Sequence, residues 1–189
     1  EVSSVGRETY YLEPADPRYT GELLRGPLDP GGFLVYSPWA SRYRVIANCR
    51  ILMTQFADDA GASGFAKTIE AYQLSLVLNM QNENGCKIAP YNGLESDFVS
   101  KSAGWAEVAA LLDAGYSELN SAGSSFSFTL SGGFAGFDTP ATFAQFNRAL
   151  RARVAVYLDD WSTALTALDN SFMDAAGDMS HGVYHVYSS

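Results

Sequence analysis

From Trp39 onward, large apolar residues recur every three or four positions, and that period limits what the chain can become. Trp39, Tyr43, Ile46, Cys49, Met53 and Phe56 form one series, and Phe65, Ile69, Tyr72, Leu76 and Met80 a second. Trp105, Val108, Leu112, Tyr116 and Leu119 form a third. Phe143, Phe146, Leu150, Val154 and Tyr157 make a fourth, and Trp161, Leu165, Leu168 and Phe172 a fifth. Residues at this spacing share one face of an α-helix, whereas a half-buried strand needs strict alternation. The chain is therefore expected to be all-α, a single region of five principal helices folded into tetratricopeptide-like hairpins with irregular loops.

The boundaries follow from the punctuation between the stripes. Residues 1–38 hold five of the seven prolines and the pair Gly31-Gly32, so they are read as an irregular wrap without a long helix. Ser37 and Pro38 then serve as N-cap and first-turn proline of a hairpin over 39–81, whose second helix is capped by Ser63. A third helix is expected over 104–122, and a second hairpin over 139–175 with Thr139 as cap and Pro140 as its first residue. Alternation at Phe126, Phe128 and Leu130 suggests a short strand, as do Val183, Tyr184, Val186 and Tyr187 near the end. In Tyr157-Leu-Asp-Asp-Trp161-Ser-Thr-Ala164-Leu165, a tight acidic turn precedes an aromatic, and Ala164 lets the next helix approach closely. That segment resembles a tetratricopeptide turn, with Trp161 expected to pack against the preceding helix.

Charge and composition exclude several classes. With 21 acidic residues against 12 basic, the net charge of −9 repels phosphate backbones and argues against a nucleic-acid partner. No apolar run approaches the roughly 18 uninterrupted residues of a membrane-spanning helix. The sequence opens at Glu1 without initiator Met or apolar leader, so any lipid-bearing segment is expected to lie outside it. Cys49 falls mid-helix and Cys86 beyond the far end of the next one, which predicts two free thiols.

The motifs that could carry chemistry each lack a component. Gly61-Ala-Ser-Gly64-Phe-Ala66-Lys67-Thr68 has Ala66 where a phosphate-binding loop needs glycine, and it follows a helix instead of a strand. His181 and His185 are separated by residues of extended character and have no third ligand nearby, so no metal is expected. Asp58/Asp59 and Asp159/Asp160 fall at helix junctions, where capping is the expected role. Arg148, Arg151 and Arg153 are read as packing and salt-bridging residues on an outer helix face. No catalytic residue and no cofactor are expected. Rings are abundant instead: 13% of the chain is aromatic, and many rings fall at helix starts or in loops. Trp39, Tyr91, Phe134, Phe137 and Tyr184 are accordingly the candidate ligand-binding residues, since ring faces stack on sugars and peptides without any charge.

Three stretches together resemble the SusD/RagB family. They are Tyr43-Arg-Val-Ile-Ala-Asn48 with Gly64-Phe-Ala-Lys-Thr68, then Gly133-Phe-Ala-Gly-Phe-Asp-Thr-Pro-Ala-Thr-Phe143, then Phe146-Asn-Arg-Ala-Leu-Arg-Ala-Arg-Val154 through Ala164-Leu165 to Ser171-Phe172. Gly182-Val-Tyr-His-Val-Tyr187 looks like the next family segment. The resemblance implies a nutrient-binding lipoprotein on the extracellular face of the outer membrane. Such a protein delivers an oligosaccharide or peptide to a SusC-like TonB-dependent transporter barrel and meets the membrane only through its lipid anchor. It also implies that the lipidated N terminus and the C-terminal half of such a protein lie outside these 189 residues. The competing expectation is a tetratricopeptide-like scaffold that binds only protein partners.

Overall fold

A computed structural model describes residues 15–88 and 96–186, and it is all-α: among the described residues there are six helices and no strand. The chain divides into two compact units, Glu1–Arg44 and Val45–Ser189. In the first, a single turn α1 (Arg18–Gly21) starts beside Asp16, whose Oδ1 accepts from the Arg18 backbone N–H at 3.1 Å and from its Nε at 2.8 Å. The Arg18 guanidinium lies 4.5 Å from the centre of the Phe33 ring. Helix α2 (Phe33–Gln55) begins well before Trp39 and carries Pro38 inside it, so the wrap is shorter than expected. Turn bonds from Asp29 explain the early start. Its carbonyl and carboxylate accept from the N–H groups of Gly32 and Gly31, and the Gly32 carbonyl then accepts from Val35 and Tyr36.

In the second unit, α3 (Ala60–Gln81), α4 (Lys101–Ser121), α5 (Pro140–Tyr157) and α6 (Trp161–Asp169) follow α2, and α3 packs against α4, α4 against α5 and α5 against α6. Gly64 meets Leu119 and Gly115 at one end of the α3–α4 pair, while Gly104 meets Leu78 at the other, so the two run antiparallel. These glycines permit the approach. Leu74, Val77, Leu78, Val108, Leu112, Phe143 and Ala155 are almost wholly buried among α3, α4 and α5. Polar groups cross the same core: Asn147 donates to Thr68 Oγ1 at 2.8 Å and to the Leu112 carbonyl at 3.0 Å. Arg148 faces inward instead of outward. It bonds Asn147, the Leu112 carbonyl and Asp113, and lies over the Tyr116 ring, while Arg151 shares Asp113. Burial holds the Arg148 guanidinium below its ordinary range, and the Asp113 carboxylate opposes that shift.

Caps explain where the helices begin. Thr139 and Thr142 form a reciprocal capping box with Pro140 in the first turn, and Asp160 accepts from the Thr163 N–H. Asp159, at φ 56°, makes the tight turn from α5 to α6, a conformation that Asp tolerates better than most residues. Ser63 does not cap α3; Asp59 does, through the Ala62 N–H at 3.0 Å, and Ser63 is buried one turn inside. Trp161 is 60% exposed and Leu165 65%, against expectation. The small residues Ala164 and Ala167 form the buried face of α6, which turns Trp161 and Leu165 toward solvent. The segments expected as strands are irregular where described, because neither has a second strand to pair its backbone. Among the described residues, strand-like backbone pairing is confined to one isolated antiparallel bridge between Cys86 and Val99. No helix among the described residues is long and apolar enough to cross a membrane.

Candidate functional site

A cleft of about 540 Å³ opens between the C-terminal end of α2, the start of α3 and the loop that joins α4 to α5. Leu52 comes from α2 and Phe56 from the turn just after it, Ala62 and Phe65 from α3, and Phe128, Leu130 and Phe134 from the loop. Ser127, Thr129 and Ser131 supply hydroxyls around it, and among the described residues no ionisable side chain lines it. Phe56 is 48% exposed and Phe128 37%, so two rings are presented to solvent at the site.

The loop is held by contacts the sequence makes available. Asp59 both starts α3 and staples the loop: its Oδ2 accepts from the Ser127 hydroxyl at 2.6 Å while Oδ1 caps the helix. The Ser127 hydroxyl, followed by the Ala62 N–H, holds the Asp59 carboxyl below its ordinary value. Phe126 then turns inward, 5.8 Å from the ring of fully buried Phe143. Phe65 forms the aromatic bridge between cleft and core, with ring centres 5.2 Å from Phe128, 6.5 Å from Phe134 and 5.1 Å from Phe143. Edge-to-face and tilted pairs of this kind fix ring positions before any ligand arrives. Behind Phe134, the carbonyl of Gly133 accepts from the Tyr184 N–H at 3.0 Å, and a side chain at 133 would run into the Tyr184 carbonyl. Only glycine fits there.

Of the residues singled out from sequence, Phe134 lines the cleft. Phe137 does not. It is 1% exposed, packed 4.8 Å from Phe172 and 5.4 Å from His181, because the turn after Gly136 drives its ring into the body and not outward. Tyr184 is half exposed, but its hydroxyl donates to the Met179 carbonyl at 2.8 Å and its backbone buttresses Gly133, so it supports the turn without entering the cleft. Trp39 belongs to the other unit, inside α2 and not at its start, with its ring 4.7 Å from Tyr43 and 6.4 Å from Tyr36. Tyr91 lies outside the described residues. Phe56, Phe65 and Phe128 are the cleft residues that sequence reasoning assigned elsewhere: the first two to helix stripes, the third to a strand. The signal for Phe128 was present, since it stands in a loop dense in serine and phenylalanine.

The near phosphate loop is an ordinary helix start. Lys67 pairs with Glu118 of α4 instead of facing solvent. Among the described residues no group of three His, Cys, Asp or Glu could hold a metal. No family model matches the chain, and no curated protein or solved structure gives a significant match to it.

Proposed function

We propose that this chain is the ligand-capturing region of a nutrient-uptake protein of the SusD/RagB kind. It binds an oligosaccharide or peptide at the extracellular face of the outer membrane and hands it to a TonB-dependent transporter barrel, without catalysing a reaction. The observation that carries this reading is the phenylalanine cleft. Two half-exposed rings, Phe56 and Phe128, flank a pre-packed Phe65 and Phe134 beneath a border of serine and threonine hydroxyls. Such a surface stacks on the apolar face of a sugar or on a side chain, while the hydroxyls satisfy a few polar groups of the ligand. The cleft volume falls within the roughly 300–1,000 Å³ range of small-molecule sites, and its uncharged lining suits a neutral ligand.

Calorimetric titration against a panel of oligosaccharides and peptides tests it. A binder should lose at least about tenfold in affinity in Phe128→Ala, corresponding to roughly 1.4 kcal/mol, and should change little between low and high salt, because screening acts on charges and barely on stacking. Turnover of a bound glycan, or affinity that Phe128→Ala leaves unchanged, would refute the reading.

One observation favours the second reading, a scaffold for protein partners. Tyr157, Leu158, Trp161 and Leu165 are all exposed around the α5–α6 turn, an apolar surface at the end of the helix stack. Trp161→Ser separates the two: it leaves ligand affinity at the cleft intact and weakens only a complex formed through the helical face.

A further inference from the structure

A wider groove of about 790 Å³ lies elsewhere in the second unit, bordered by α2, by Glu70 of α3, by Ile88 and by Glu107 and Leu111 of α4. Its charged groups are unevenly matched. Glu70 is 1% exposed, and its Oε1 accepts both Arg50 Nε at 2.8 Å and Arg50 Nη2 at 2.6 Å. Arg50 Nη2 also donates to the Ile88 carbonyl at 2.9 Å, which ties the guanidinium to one position. Glu70 Oε2 is buried and has no hydrogen-bond partner among the described residues. An ionised carboxylate accepts about four hydrogen bonds, and leaving an oxygen buried without one is costly. Glu107 borders the same groove, half buried, and its charge acts on Glu70. One guanidinium therefore faces two carboxylates, between apolar walls at Ile51, Ile88 and Leu111.

We propose that this groove binds a primary alkylammonium group, with its N–H donors directed to Glu70 Oε2 and the Glu107 carboxylate and its methylenes lying along Ile51, Ile88 and Leu111. An ammonium is compact, offers three donors and restores charge balance to the trio. The aliphatic stem explains why acidic groups sit between hydrocarbon walls. Glu70 Oε2 is sheltered from water, so entry requires a groove side chain to give way. Met53, unbranched and lining the same groove, is suited to that movement. The site is independent of the phenylalanine cleft.

Two amine probes represent the two sources of this chemistry. Nα-acetyl-lysine methylamide stands for a peptide lysine and cadaverine for a free amine, while Nα,Nε-diacetyl-lysine methylamide is the neutral control. Titration of the chain, followed by calorimetry and by amide chemical shifts, should show saturable binding of one or both amines and none of the acetylated control. Glu107→Gln should weaken that binding at least tenfold while leaving the helical circular dichroism unchanged. Glu107 is half exposed and sits outside the buried core, so this variant keeps the test valid should Glu70→Gln fail to fold. Binding should also weaken as pH falls and Glu70, whose carboxyl burial raises above its ordinary value, takes up its proton. The charged and titratable groups that face Glu70 are Arg50 and Cys49 from α2 and Glu107 from α4. Absence of saturation by both amines, equal affinity for the acetylated control, or indifference to Glu107→Gln would each overturn the assignment.

Discussion

Replacing Gly64 by alanine sets two known effects against each other at the closest approach of α3 and α4. Alanine is the better helix former, worth about 0.8–1.0 kcal/mol over glycine inside a helix. Against that gain, a Cβ at 64 would stand 2.8 Å from Leu119 Cγ, 2.9 Å from the Gly115 carbonyl oxygen and 3.0 Å from the Leu119 nitrogen. Two of these three are backbone atoms that cannot rotate aside, so the helices themselves must separate. Overpacking of this kind costs about 1–3 kcal/mol, and a contact with rigid backbone belongs at the upper end. The separation also disturbs buried polar bonds, since the Thr68 hydroxyl donates to the Gly64 carbonyl at 2.8 Å and receives the Asn147 amide. The expected net result is a loss of roughly 1–2 kcal/mol, read from urea denaturation at constant m-value. Gly123→Ala is the control: nothing stands within 4 Å of a Cβ there and the backbone is not left-handed, so stability should stay within about 0.5 kcal/mol of wild type. Stabilisation of Gly64→Ala by about 1 kcal/mol would mean that propensity wins, and would refute the close packing of α3 on α4.

Trp161→Ala should cost less than about 1 kcal/mol, because the ring is 60% exposed; a loss of several kcal/mol in thermal or chemical denaturation would show it buried. Burial pushes the Cys49 thiol up to about 12 and the Cys86 thiol to about 11, so both should react with a disulfide reagent at pH 8 only at the rate of unfolding, and fast labelling of either in native protein would contradict their burial. Burial likewise raises Glu70 above its ordinary 4.5, with Arg50 opposing. The native state then holds that proton more tightly than the unfolded chain. Its contribution is fully present below about pH 4.5 and is lost as pH rises through the raised value. Subtracting the stability profile of Glu70→Gln from that of wild type should isolate this fall, and a difference that grows with pH would reverse the assignment.

The helices were legible because large apolar residues recur in each at helical spacing, and the caps at Thr139 and Asp160 were legible because their side chains bond locally. What was hidden depends on tertiary approach. The Trp161 stripe pointed to the wrong face of α6, since the packed surface is made by Ala164 and Ala167, residues whose value lies in how little space they take. Ser63 and Asp59 were both plausible caps, and Asp59 wins by bonding Ser127 across the chain as well as Ala62 beside it. The cleft was half visible. Phe134 was recognised as a loop ring, but Phe137, three residues on, turns into the core, and Phe65 serves helix and cleft together. Alternation at Phe126, Phe128 and Leu130 suggested a strand, yet its true meaning is one ring inward and one outward in an irregular loop.

Backbone and methyl chemical-shift mapping, made on the chain with the best ligand from the glycan and peptide panel, locates the ligand directly. Saturating shifts should cluster at Leu52, Ala62, Phe65, Thr129 and Leu130, with those around Trp161 and Leu165 unmoved. Shifts confined to the α5–α6 face, with the phenylalanine cleft silent, would contradict ligand capture there.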